Sequence, residues 1–233
     1  ILIAEEFLRD GSAVLCRARN AAGFLQVAVV GIRDGSVHLI GPGDWDVEQA
    51  ATRPGLGIVF SRNEDGRSAL YRMPLPGSRT QKSARPVRLF GPQGRIVEFD
   101  VDRAGRRLAM LWGDSTRPAD VWVLDLKTGG KVAVTRALAG GVDPERLERA
   151  ELLEYQAPDG MTIRAFYLPP AALRLSLPAP VIVAAHGGPD PTFLTLSRRG
   201  VEKDEYGTAG LAPKSPERGL FLLVDVGERI LDE

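Results

Sequence analysis

The sequence holds one cysteine, Cys16, in 233 residues. That excludes an internal disulfide and a cysteine-clustered zinc site. Histidine is almost as scarce. His38 and His186 are the only two, too few for a multi-histidine centre, so neither a metal nor another cofactor is expected. Charge of one sign is not in excess, since 30 Lys and Arg balance 30 Asp and Glu. A nucleic-acid binder shows a basic surplus, so no nucleic-acid partner is expected. Aromatic residues make up 6%. No apolar run approaches the roughly 18 residues needed to cross a bilayer, so no membrane partner is expected either. The chain starts at Ile1 and shows no basic start, apolar core and cleavage site. It is therefore expected to be truncated at its N-terminus. A cytoplasmic location is expected, with a periplasmic or secreted parent left open.

Glycine and proline, 26 and 17 residues, are abundant and predict many turns between short strands. Three stretches share one layout. Phe7 to Leu15, Ala51 to Phe60 and Val101 to Met110 each place a glycine-centred turn (Gly11, Gly55, Gly105) just before an apolar strand. Glycine suits the positive φ that such turns require. Each unit then continues strand, polar loop, strand, turn, strand. In the last unit these are 108–112, 120–126 and 131–135. In the middle unit they are 57–61, 68–74 and 85–90, and in the first 13–17, 25–31 and 36–40. A period of roughly 40–50 residues with about four short strands is the signature of a propeller blade. A β-sandwich with evenly spaced hairpins is the alternative.

The pattern changes near residue 147. The segment Pro144 to Arg149 is charged and mixed. A hairpin follows, with strands at 151–155 and 161–168 around the Asp159-Gly160 turn. A proline-rich connection then leads into Val181-Ile182-Val183-Ala184-Ala185, which ends in His186-Gly187-Gly188-Pro189. A second apolar run covers 219–226. Short, wholly apolar runs are the pattern of strands buried on both faces of a parallel sheet. The expected fold is a β-propeller segment of about three blades (1–146) followed by the incomplete N-terminal part of an α/β-hydrolase domain (147–233).

A propeller segment followed by a hairpin and a strand ending in His-Gly-Gly-Pro resembles the prolyl oligopeptidase family of serine peptidases. The acylaminoacyl-peptidase and dipeptidyl-peptidase-like branch is the most similar. Gly43-Asp44-Trp45-Asp46-Val47 resembles a blade junction of that branch, and Glu154 to Ile163 resembles the hairpin that opens its hydrolase domain. The resemblance implies a peptidase acting on peptides or acyl-peptides, with a peptide as the partner. It also implies an oxyanion-site role for His186, Gly187 and Gly188. Two glycines at a strand end let backbone N–H groups approach a substrate carbonyl, and one such donor is worth about 2.7–4 kcal/mol in acyl transfer. The same residues would also make a sharp turn without any chemistry. His38, between Val37 and Leu39, reads as a strand residue rather than a catalytic base.

The catalytic residues of that family have no counterparts here. A nucleophile elbow needs Gly-x-Ser-x-Gly. Gly66-Arg67-Ser68-Ala69-Leu70 and Gly113-Asp114-Ser115-Thr116-Arg117 each match half of it, inside the repeats. No histidine follows His186. The triad is absent, and Asp225 stands in the wrong chain order for its acid. Removing nucleophile and base together leaves only binding and oxyanion effects. The chain is thus expected to be a serine-peptidase fragment, inactive by itself, with unpaired sheet edges at its open ends. Two other readings stay open: a non-catalytic propeller-type interaction module, and an α/β-hydrolase esterase, since His-Gly-Gly also forms esterase oxyanion holes. Oligomeric state is not legible.

Overall fold

The computed structural model describes residues 1–41, 43–75, 85–91, 94–137, 147, 149–156, 158, 160, 162–168, 181–185 and 220–225. The chain divides into two compact units, Ile1–Gly113 with Ala119–Ala137, and Asp114–Pro118 with Leu138–Glu233.

The repeat read from the sequence appears as three antiparallel four-stranded meanders. The first sheet is β1 (Leu2–Phe7), β2 (Ala13–Arg19), β3 (Leu25–Gly31) and β4 (Val37–Ile40). The second is β5 (Val47–Arg53), β6 (Gly57–Glu64), β7 (Arg67–Met73) and β8 (Val87–Phe90). The third is β9 (Arg95–Val101), β10 (Arg107–Asp114), β11 (Arg117–Asp125) and β12 (Lys131–Ala133). In each, spatial order equals chain order, the meander of a propeller blade. The last three strands of each sheet are those expected from the sequence. The first ones, β1, β5 and β9, are additional, and their mixed polar and apolar residues do not alternate cleanly.

Irregularity explains why. Each first strand carries one extra residue relative to its neighbour: Glu5 in β1, Glu48 in β5 and Val97 in β9. A bulge shifts the period-two pattern by one residue midway, so neither half reads as a strand by itself. The turn that follows is as expected, with Gly11, Gly55 and Gly105 at φ of 66°, 80° and 64°. Aspartates cap several turns. Asp102 accepts the N–H of Arg106 at 2.7 Å and of Arg107 at 3.1 Å, and Asp125 accepts those of Lys127 and Thr128 at 2.9 and 2.8 Å.

Side chains from adjacent sheets interleave in two cores. Leu15, Val27 and Ile40 of the first sheet meet Val47, Ala50, Ile58, Phe60, Tyr71 and Met73 of the second. On its other face the second sheet offers Ala51, Val59 and Leu70 to Phe99, Val101, Leu108, Met110, Trp112 and Leu124 of the third. The forward face of the first sheet is thus turned to the second, and the forward face of the second to the third; the opposite face of each sheet is its backward face. Burial of each large side chain contributes about 1.5–3 kcal/mol. The Gly43–Val47 segment is the junction between the first two sheets. Asp46 Oδ1 accepts the N–H of Leu25 at 2.5 Å, and the Trp45 carbonyl accepts Gln26 Nε2–H at 2.8 Å.

The second unit corrects an expectation. Its sheet has the order β13 (Glu151–Gln156), β14 (Thr162–Tyr167), β16 (Leu220–Asp225), β15 (Val181–Ala185). Strands β13, β14 and β16 run antiparallel, and β15 runs parallel to β16. Among the described residues every element is a strand and none is a helix. An α/β-hydrolase segment requires helices against its sheet, so the expected α/β part is not what the described residues form. The error has a physical source. The apolar runs at 181–185 and 219–226 specify strands, and they are strands. They carry no information on what covers their faces, and the helices were supplied by resemblance alone. No helix among the described residues is long and apolar enough to cross a membrane.

Candidate functional site

The bulge in β5 sets Glu48 apart from its neighbours. Glu48 Oε2 accepts the hydroxyl of Ser68 at 2.7 Å, while Oε1 is buried with no partner among the described residues. Burial pushes the carboxyl above its ordinary range. The Ser68 hydrogen bond and the charges of Arg95 and Arg17 pull it back in part, and Asp46 pushes it up. The first sheet has a counterpart in Glu5, whose Oε1 accepts Arg17 Nε–H. Arg17 also donates to the Val47 carbonyl at 3.1 Å. Glu48 was not singled out in the sequence, and no local pattern announces a bulge there.

Ser68 is one of the two serines that half-match a nucleophile elbow. Here it lies on β7, fully buried, with its hydroxyl on a carboxylate and its N–H donated to the Gly94 carbonyl at 2.8 Å. A buried hydroxyl without an imidazole beside it has neither substrate access nor an effective base. The other, Ser115, sits in the turn between β10 and β11, where its Oγ accepts the N–H of Ala150 at 3.0 Å. Neither occupies a strand-to-helix turn.

His38 lies on β4 opposite Val29, on the forward face of the first sheet. Its Nε2 is buried and has no hydrogen-bond partner among the described residues. Neither elbow-like serine bonds to it. Cys16 is buried, and burial, with a smaller push from Glu5, holds its thiol pKa above the ordinary value. Such a thiol is unreactive. No group of three or more metal-ligating side chains occurs among the described residues.

The oxyanion candidates His186, Gly187 and Gly188 lie outside the described residues. The strand that leads to them is described. Ala185, its last residue, pairs in parallel register with Val224. Asp225 ends β16 and is the register partner of Arg164 on β14.

No protein-family model matches the chain, and no curated protein sequence matches it. Solved structures do resemble its fold. A puromycin-hydrolysing peptidase of Mycobacterium tuberculosis is 19% identical with a TM-score of 0.67, over 96% of this chain and 33% of that one. An acylaminoacyl peptidase of Pyrococcus horikoshii is 20% identical with a TM-score of 0.57, over 93% and 31%. Prolyl oligopeptidase B of Galerina marginata, in complex with a 25-residue macrocyclization substrate, is 15% identical with a TM-score of 0.62, over 81% and 26%. The chain spans about a third or less of the length of these proteins. At such identities the fold is what is shared, and the likeness to peptidases of the prolyl-oligopeptidase branch is distant and partial.

Proposed function

We propose that the chain is the propeller-type portion of a serine peptidase of the prolyl oligopeptidase branch and does not hydrolyse peptides by itself. One observation carries the reading. Three consecutive four-stranded meanders precede a sheet whose parallel strand β15 runs directly into His186-Gly187-Gly188-Pro189. The fold likeness to peptidases supports it. The missing elbow and the absence of a histidine after His186 support the lack of activity.

Within this reading, residues 1–146 form the propeller part and 147–233 the second part. Backbone N–H groups at His186–Gly188 would donate to a peptide carbonyl, the class of contact that stabilises an oxyanion. The substrate of the intact protein is a peptide or acyl-peptide, and the dipeptidyl- and acylaminoacyl-peptidase branch is the narrower assignment. A cytoplasmic setting suits the lone buried thiol. The test is an amidase assay with aminoacyl and acyl-aminoacyl chromogenic amides, run beside oligopeptide titration of the intrinsic tryptophan fluorescence. The reading expects no turnover and saturable peptide binding. Turnover abolished by substituting a single serine contradicts it, as does the absence of any peptide binding.

A further inference from the structure

Three aromatic rings from two adjacent sheets converge on one ammonium. Phe90 comes from β8, the last strand of the second sheet. Trp112 and Trp122 come from β10 and β11 of the third. The Trp112 ring meets Phe90 edge-on at 5.9 Å between centroids, and meets Trp122 edge-on at 5.2 Å. Trp112 is buried in the core between the two sheets, and Phe90 and Trp122 pack half-buried against that core. The walls are therefore fixed by one another and by the core. Lys131 Nζ stands among them, 3.7 Å from the Trp112 centroid and 5.0 Å from those of Trp122 and Phe90.

The spacing exceeds what the lysine fills. Non-bonded heavy atoms touch at about 3.5–4.0 Å, and Nζ is that close to Trp112 alone. At the other two rings the distance is a contact lengthened by a C–N bond of about 1.45 Å. A methyl group on the nitrogen fills that gap. Aromatic cages of this kind recognise quaternary ammonium groups, whose cation is attracted by the ring faces. The occupant is held differently from the walls. Lys131 opens β12, an edge strand of three residues that pairs with β11 and directly follows Gly129-Gly130. Withdrawing Lys131 leaves the core intact, whereas moving Trp112 opens it.

We propose that Phe90, Trp112 and Trp122 form a binding site for a quaternary ammonium group, with Lys131 as its built-in competitor, filling the cage until such a group displaces it. The wild-type affinity is then lowered in proportion to the fraction of chains in which Lys131 has left the cage. None of these residues belongs to the oxyanion candidates, so the ammonium site is tested separately from the peptidase reading.

The test titrates tetramethylammonium chloride into the wild-type chain and Lys131→Ala, reading intrinsic tryptophan fluorescence against sodium chloride at equal ionic strength. Lys131→Ala is expected to give a saturable change with an affinity about tenfold above that of the wild type. tert-Butanol, a neutral molecule of similar shape, is expected to give none. Trp122→Leu in the Lys131→Ala background is expected to abolish the response, while circular dichroism shows both variants folded. Lys131→Thr, a better strand former, takes the place of Lys131→Ala if the latter loses its fold. Choline and a peptide carrying one trimethyllysine, titrated into the same chains, distinguish a free quaternary ammonium from one on a side chain by which of them binds more tightly. A folded Lys131→Ala chain with no saturable response overturns the proposal. So does an equal response to tert-butanol, or equal affinity of Lys131→Ala and the wild type, which shows that Lys131 does not compete.

Discussion

Gln49 holds both backbone polar groups of Phe99, accepting its N–H on Oε1 and donating Nε2–H to its carbonyl, each at 2.8 Å. The two residues are on the first strands of consecutive sheets. First strands are edge strands of their meanders, with hydrogen-bonding groups unused by the ladder on one side. The amide side chain supplies what a neighbouring strand would have supplied. Gln49→Ala leaves two backbone groups without partners beside a packed core. A loss of about 1–3 kcal/mol in urea unfolding is expected. Gln49→Glu keeps the acceptor arm but sets a carboxylate against the Phe99 carbonyl, and it is expected to be no better than alanine at neutral pH.

A second prediction concerns backbone space. Gly57 opens β6 with φ of 82°, and a Cβ there would lie 2.3 Å from the Met73 carbonyl oxygen and 2.9 Å from Pro74 Cα. Gly11 has a similar φ of 66° but nothing within 4 Å. Gly11→Ala is therefore expected to cost only the left-handed backbone term, about 1–2 kcal/mol. Gly57→Ala pays the same term and must also move the β7 backbone, so its Tm is expected to fall well below that of Gly11→Ala. Equal thermal shifts would contradict the geometry.

Glu48 makes a prediction of unusual sign. Its folded pKa is raised above the ordinary 4.5 by burial, so the fold prefers the protonated acid. The associated stability is fully present below the ordinary value and is lost as pH rises through the folded pKa. Glu48→Gln, which still offers Ser68 an acceptor, is expected to be more stable than the wild type at pH 7. The advantage should shrink as pH falls towards 4.5. Asp102 behaves oppositely. The N–H groups of Arg107 and Arg106 hold its carboxyl below the ordinary range, so its contribution is present at neutral pH and lost in acid. Asp102→Asn is expected to make the acid limb of the stability profile shallower. Urea midpoints across pH for the three chains check both signs.

Lys131 anchors the short edge strand β12. Its Nζ lies 3.7 Å from the centroid of the Trp112 ring and 5.0 Å from those of Trp122 and Phe90. A cation on aromatic faces is worth about 0.5–2 kcal/mol. Lys131→Met keeps most of the apolar stem and loses the charge. A destabilisation in that range is expected, with a change in the intrinsic fluorescence contributed by Trp112 and Trp122.

Much of the fold could be read from residues alone. Gly11, Gly55 and Gly105 mark equivalent turns because only a positive φ closes them, and the strands that follow alternate clearly enough to place. The first strands were not legible, because the bulges at Glu5, Glu48 and Val97 break the alternation. Val181–Ala185 was legible as a strand, since a five-residue apolar run cannot make a helix of useful length. Its surroundings were not, because an apolar run does not name what covers it. The Glu48–Ser68 pair escaped notice because its two members meet across the sheet, twenty residues apart in sequence. Cysteine and histidine scarcity was informative from the start, since counting alone excludes chemistries that no packing can restore.

Whether any serine of this chain is an activated nucleophile is decided by labelling with a fluorophosphonate probe, read by intact mass. A serine is phosphonylated rapidly only where a base and an oxyanion site activate it. The chain is expected to keep its unmodified mass at probe excess, with Ser68 shielded in the second sheet and Ser115 held in its turn by Ala150. Stoichiometric addition of one phosphonyl group, mapped to a single serine, would contradict it.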